Sequence, residues 1–129
     1  MSWAKFKLVL TGLLWALTLF GGQAIGRQAV TNGVQDTVSR AELPRQGIET
    51  YERIFQGGPF PYDKDGSVFG NRERLLPPQT RGYYREYTVK TPSVRHRGTR
   101  RIVCGGPAKQ PETCYYTADH YASFRKIVP

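Results

Sequence analysis

The chain has 129 residues, enough for one small domain and no second core of similar size. Nineteen Lys and Arg against ten Asp and Glu give a formal charge of +9, which favours phosphates, anionic surfaces or acidic proteins as partners without choosing among them. The two cysteines, with no CxxC and no Cys/His cluster, do not suggest zinc.

Residues 1–24 have the layout of a cleavable export signal. Lys5 and Lys7 precede an apolar run from Leu8 to Phe20, and the small residues Gly22 and Ala24 stand where a signal peptidase inspects the chain. That run falls short of the roughly 18 residues a membrane-spanning helix needs. An uncleaved anchor is the alternative reading, and the expectation is secretion with no stable membrane association after cleavage. Loss of Lys5 and Lys7 takes 19 basic residues to 17, against 10 acidic, so the mature charge is +7. Residues 25–35, polar and small, read as a flexible lead-in, and residues 36–129 as the folded domain.

"ELPRQGIETYERIFQGG" predicts an amphipathic helix. Pro44 suits its first turn, Gly57-Gly58 its stop, and Ile48, Tyr51, Ile54 and Phe55 its apolar stripe, with Gly47 as a weak point. "GGPFPYDKDG" is turn chemistry. Its "DKDG" resembles the start of a calcium loop but lacks the further acidic positions, so no metal is expected there.

Four strand-like runs follow: "YYREYTVKT", "TRRIVCG", "CYYTAD" and "ASFRKIV", each rich in β-branched or aromatic residues and separated by Gly or Pro. One helix ahead of such a series predicts an α+β domain, the helix packed on a small antiparallel sheet. In an exported chain, Cys104 and Cys114 are expected to form a disulfide around the turn of Gly105, Gly106 and Pro107; two free buried thiols are the alternative.

"SVRHRGTRRIV" crowds Arg95, His96, Arg97, Arg100 and Arg101 into seven residues. On a two-residue period Arg97, Thr99 and Arg101 share one face, and two guanidiniums there can grip phosphate oxygens; the bland alternative is a solvated cationic face. Glu86 shares a face with Thr88 and Lys90. His120 sits at a strand end beside a turn. A carboxylate, an imidazole and paired arginines suit metal-free cleavage of RNA, whose 2′-hydroxyl is a built-in nucleophile.

The segments "GPFPYDKDGSVFGNRERLLP", "GYYREYTVKTP", "RHRGTRRIVCG" and "YYTADHYASF" occur in this order, and from Asp36 to about Val128 the sequence resembles the small secreted microbial guanyl-specific ribonucleases, of the ribonuclease Sa type and more distantly barnase-like. The resemblance implies an endoribonuclease that cleaves single-stranded RNA 3′ of guanosine, first to a 2′,3′-cyclic phosphate and then to a 3′-phosphate, with no cofactor or metal. It implies Glu86 as general base and His120 as general acid, Arg97 and Arg101 as phosphate ligands lining the same concave site, and Tyr121 as a further phosphate contact. In the loop "VFGNRE" it implies that Glu73 accepts from guanine N1 and N2, that amides around Gly70, Asn71 and Arg72 meet O6, and that Phe69 stacks on the base. Partners implied are RNA and a barstar-like acidic inhibitor, with the enzyme a monomer.

Two departures stand out. Ser39 occupies the place of a family cysteine that bridges to the C-terminus, so that disulfide is absent here. Gly70 replaces a glutamine, which loosens the loop while leaving its backbone donors in place. Two other readings use the same residues. A polyanion-binding module would need only the arginines. A membrane-active protein would need a cationic amphipathic helix, whereas the predicted helix carries Glu49 and Glu52.

Overall fold

Side chains alternate along the strands, and here the alternation serves two separate layers of core. The computed structural model describes residues 34–129; the expected export signal and nearly all of the lead-in lie outside the described residues. The elements in chain order are β1 (Val34–Ser39), a 3-10 turn (Arg40–Glu42), α1 (Arg45–Gln56), β2 (Ser67–Val68), β3 (Tyr84–Thr88), β4 (Arg101–Gly105), β5 (Thr113–Thr117) and β6 (Phe124–Val128). They form one six-stranded sheet in the order β1-β6-β5-β4-β3-β2. Every neighbouring pair is antiparallel except β1 with β6, which is parallel.

One layer of core lies between α1 and the sheet. Val38, Leu43, Ile54, Tyr87, Val89, Ile102, Tyr116 and Ile127 pack there together with the two cysteines. Cys104 and Cys114 are register partners on β4 and β5, with Cα atoms 4.0 Å apart and their sulfurs bonded. The opposite face carries a second cluster of Leu76, Tyr84, Val103, Tyr115 and Phe124, flanked by Phe69, Leu75 and Tyr121. Among the described residues no helix covers this second, aromatic layer, which becomes the floor of the cleft described below.

The α+β architecture with one helix on the sheet agrees with the sequence. The details differ in ways that have physical reasons. Residues 36–39 were given no element, yet they form most of β1, because Phe124–Val128 offers an edge that β1 completes in parallel. The strand opens at Val34, two residues ahead of the expected domain boundary. The sheet is therefore not wholly antiparallel. Phe55 is 42% exposed and outside the apolar face. The buried side of α1 runs instead through Gly47, Thr50 and Ile54, two of them small, which lets the helix sit close to the sheet. Thr50 Oγ1 donates to the Thr88 carbonyl at 3.1 Å, a buried tie between α1 and the end of β3. The helix ends where Gly57 turns left-handed at φ +83°.

The "DKDG" segment is a turn whose second acid, Asp65, is engaged by backbone, while Asp63 is exposed. Asp65 accepts from Thr88 N at 2.7 Å and from Tyr62 N at 3.2 Å. Among the described residues no helix is long and apolar enough to cross a membrane.

Ile54 is wholly buried in the helix-side core, on the face of the sheet away from the cleft. Ile54→Ala should lower the urea-unfolding free energy by about 2–5 kcal/mol. Nucleotide affinity of the protein that remains folded should be unchanged by equilibrium titration.

Candidate active site

β3 places Tyr84, Glu86 and Thr88 on the aromatic face and Tyr87 on the helix side. Glu86 is held from two directions. Its Oε1 accepts from Arg97 Nη2 at 2.8 Å, and its Oε2 accepts from the Tyr121 hydroxyl at 3.0 Å. The carboxylate side chain is only 14% exposed, so these donors stand in for much of the water it has lost. Arg97 is anchored in turn by Thr88 Oγ1, which accepts from its Nε at 3.0 Å and its Nη2 at 2.8 Å.

Arg97 does not reach this position along a strand. β4 begins only at Arg101, so the two-residue period does not run from Arg97 to Arg101. A turn brings the first guanidinium in: Gly98 sits at φ +71°, and its N–H donates to His96 Nδ1 at 2.9 Å. A Cβ at Gly98 would come within 2.6 Å of Thr91 Oγ1, which is why glycine stands there.

Arg101 is the more deeply buried cation, at 3% exposure. Its Nη1 donates to the carbonyls of Gly98 and Arg100, its Nε donates to the Tyr121 hydroxyl at 3.1 Å, and its guanidinium lies 5.8 Å from the Tyr121 ring centre. Tyr121 thus links Arg101 to Glu86. Burial, and then the Glu86 charge, raise the Tyr121 pKa, with Arg101 opposing; the phenol stays protonated and able to donate. Arg97 Nη1 and Arg101 Nη2 donate to no described residue.

His120 follows β5 on a loop with unusual backbone. His120 and Tyr121 both adopt left-handed conformations, at φ +57° and +71°. Each costs on the order of 1–3 kcal/mol for a non-glycine residue and persists only where its surroundings over-determine it. Here Thr99 supplies part of the constraint: its carbonyl accepts from His120 N at 2.9 Å, and its Oγ1 donates to the Ala118 carbonyl at 2.8 Å. The imidazole is exposed and lies 4.9 Å, centre to centre, from the Tyr121 ring.

Asp119 closes the same loop. Its Oδ1 accepts from Thr117 Oγ1 at 2.8 Å and Ser123 N at 2.9 Å, and its Oδ2 accepts from Ser123 Oγ at 2.6 Å. Burial opposes its charge, but hydrogen bonds from the Ser123 and Thr117 hydroxyls and from backbone N–H groups outweigh that and hold its pKa below the usual carboxylate value.

The loop after β2 forms the other wall. Phe69 N donates to the Tyr84 carbonyl at 2.9 Å, and the Phe69 ring packs 5.0 Å from Tyr121 and 6.0 Å from Phe124. Asn71, at φ +53°, clamps the loop: its Nδ2 donates to the Leu76 carbonyl and its Oδ1 accepts from Leu76 N. The N–H groups of Asn71, Arg72 and Glu73 donate to no described residue, and Glu73 is exposed. Gly70 is not left-handed, and a Cβ there would meet only the Arg72 side chain, at an ordinary contact distance of 3.6 Å.

One cleft of about 780 Å³ gathers these pieces. Phe69, Gly70, Asn71, Arg72 and Glu73 line one end; Glu86, His120 and Tyr121 line the other. Arg97 and Arg101 are not in the wall, contrary to the expectation that both would line it. They back it, reaching the cleft through Glu86 and Tyr121. Three contributors were not singled out in the sequence: Thr88 as the seat of Arg97, the Asn71 side chain as a clamp, and the Thr117–Asp119–Ser123 cluster. Only the last carried a legible signal, since Thr, Asp and Ser two and four residues apart often bond back to nearby backbone.

The arrangement belongs to a class: a small α+β domain whose open sheet face holds a carboxylate, an imidazole and two guanidiniums around one cleft. Comparison with known proteins makes the class specific. The ribonuclease family profile matches residues 26–128. Guanyl-specific ribonuclease Sa of Kitasatospora aureofaciens is 51% identical over 94 residues, covering 73% of this chain and 95% of that protein. Guanyl-specific ribonuclease St of Saccharopolyspora erythraea is 52% identical over 98 residues, covering 76% and 92%. Guanyl-specific ribonuclease Sa3 of Kitasatospora aureofaciens is 54% identical over 90 residues, 70% of this chain but 62% of the longer relative. The structure of ribonuclease Sa2 complexed with mononucleotides superposes with a TM-score of 0.68 at 47% identity, covering 74% of this chain and 95% of that one. Ribonuclease Sa2 with guanosine-2′-cyclophosphate gives 0.66 at the same identity. The chain belongs to the ribonuclease family, within its guanyl-specific microbial branch.

The lowered Asp119 pKa fixes the sign of a pH effect. A carboxyl held below its unfolded value contributes stability that is present above that value and lost as pH falls through the folded one. The stability gap between wild type and Asp119→Asn should be widest at neutral pH and should narrow on acidification, measured by urea unfolding across the carboxylate range.

Proposed function

We propose that this chain is a secreted, guanine-preferring endoribonuclease that cleaves single-stranded RNA on the 3′ side of guanosine and needs no metal. Endoribonuclease activity follows from the family. The finer reading is supported chiefly by one observation: Glu86 and His120 line a single cleft, with Tyr121 between them.

In the first step ionised Glu86 removes the 2′-proton, and the 2′-oxygen attacks phosphorus. Protonated His120 hands its proton to the departing 5′-oxygen, leaving a 2′,3′-cyclic phosphate. In the second step the roles reverse: His120 takes a proton from water, Glu86 returns one to the 2′-oxygen, and a 3′-phosphate remains. Charge accumulating on the phosphoryl oxygens meets the free donors of Arg97 and Arg101, and the Tyr121 hydroxyl lies between them. Arg97 already touches Glu86 at 2.8 Å, so the cation that meets the phosphate also orients the base.

Base choice rests on the other end of the cleft. Phe69 offers a ring face for stacking, the unused N–H groups of Asn71, Arg72 and Glu73 suit guanine O6, and the Glu73 carboxylate suits N1–H and N2–H. Adenine has no N1–H and would leave that carboxylate unpaired. Export through residues 1–24 and restraint by a barstar-like acidic inhibitor attracted to a +7 monomer complete the reading.

The mature protein should cleave GpN dinucleotides in EDTA and leave ApN nearly untouched. Glu86→Gln should lower kcat by about 10²–10⁴ while 3′-GMP affinity changes little. Cleavage only on addition of metal, or equal cleavage of GpN and ApN, would overturn the reading. Full activity in Glu86→Gln would remove Glu86 from it.

A further inference from the structure

The two residues that bring the imidazole to the cleft, His120 and Tyr121, stand in consecutive left-handed conformations, at φ +57° and +71°. Neither is glycine, and Tyr121 is bulky, so something must hold them there. Thr99 secures the His120 amide. A backbone bond from Ala122 N to the Asp119 carbonyl, at 3.3 Å, closes the turn, and the side-chain bonds that brace it belong to a three-residue polar knot. Thr117, the last residue of β5 and 1% exposed, accepts from Tyr121 N at 3.2 Å and donates to Asp119 at 2.8 Å. Asp119 then reaches across the bend to Ser123, taking its amide and its hydroxyl on separate carboxylate oxygens. The knot therefore ties residue 117 to 121 and 119 to 123, and the reversed backbone at 120–121 lies inside both ties. None of its three side chains lines the cleft.

We propose that Asp119, through Thr117 and Ser123, is a positioning residue for the His120 imidazole: the knot keeps the loop in its left-handed bend and so aims the proton donor at the leaving oxygen opposite Glu86. The proposal rests on the reading of His120 as general acid. It assigns Asp119 no contact with substrate. The geometry favours this over a purely architectural role because the knot brackets the bend at 120–121, whereas the sheet beyond it is held by β5–β6 pairing and by buried Phe124.

A general acid matters in proportion to how poor the leaving group is, and that separates positioning from architecture. Two substrates serve: GpC, whose nucleoside 5′-oxygen needs a proton to depart, and guanosine 3′-(4-nitrophenyl phosphate), whose phenolate does not. Wild type and His120→Ala are measured first. If wild type cleaves neither substrate, or if His120→Ala slows both equally, the general-acid reading itself fails and this proposal fails with it.

Given a leaving-group-selective His120→Ala, Asp119→Asn should lower kcat on GpC by about 10- to 100-fold, the scale expected for a misplaced catalytic group, with KM and 3′-GMP affinity nearly unchanged. It should slow the nitrophenyl ester about threefold or less. Ser123→Ala, a milder change that keeps the backbone donor, should show the same selectivity at smaller size, and Ser123→Thr should restore activity on GpC. Ser123→Ala also decides the matter if Asp119→Asn does not fold. Equal slowing of both substrates, a KM-only effect, or no effect on either would overturn the proposal.

Discussion

The open face of the sheet is organised by one half-buried carboxylate. Glu86 stands on β3 in a cleft that Phe69, Tyr121 and Phe124 also line, with its side chain only 14% exposed and so little met by water. What makes it tolerable is a chain of donors: Thr88 seats Arg97, Arg97 donates to Glu86, and Tyr121 donates to Glu86 while accepting from buried Arg101. Remove a member and another is left with an unmet charge or hydrogen bond, a larger loss than the intact pairing contributes. The chain also solves a mechanical problem. It places two cations behind the cleft wall and joins them to Glu86 and Tyr121.

That chain explains why the surroundings are built as they are. Thr88 must turn its hydroxyl to Arg97 while its carbonyl faces α1, where Thr50 bonds it. Its amide is taken by Asp65 from the turn that leads into β2. One residue at the end of β3 thus couples the helix, the turn and the arginine. Opposite it, Thr99 stitches the arginine segment to the histidine loop. The Glu86–His120 end of the cleft is densely tied, because β3, the arginine segment and the histidine loop share hydrogen bonds there. The Phe69–Glu73 end depends on fewer ties, chiefly the two bonds between Asn71 and Leu76.

Much of this was legible from residues alone, and the failures have identifiable causes. The strand runs and the helix were readable because apolar periodicity reports which side chains a layered fold will bury. β1 was not, because its polar sequence "VQDTVS" has no strong alternation and owes its extended form to its neighbour β6. Phe55 joined the predicted apolar stripe on spacing, but the buried face of α1 rotates toward Gly47 and Thr50. The strand period pairs Arg97 with Arg101. The two guanidiniums do meet a linked pair, Arg97 donating to Glu86 and Arg101 to the Tyr121 hydroxyl that itself donates to Glu86, though by a turn at Gly98 and not by a shared strand face.

Chemistry and geometry therefore divide cleanly. Residue types and their order along the chain were enough to determine the inventory: a carboxylate on a strand, an imidazole after one, a run of arginines and an aromatic-bearing recognition loop. They determined it because side-chain identity sets proton affinity, charge and stacking surface wherever the residue ends up. Which of those groups meet was decided only by the folded chain. Contacts such as Glu86 with Tyr121 join residues 35 positions apart. The left-handed bend at 120–121 runs against local preference. Both exist because packing of the whole sheet offsets a cost that no short stretch of sequence could carry alone.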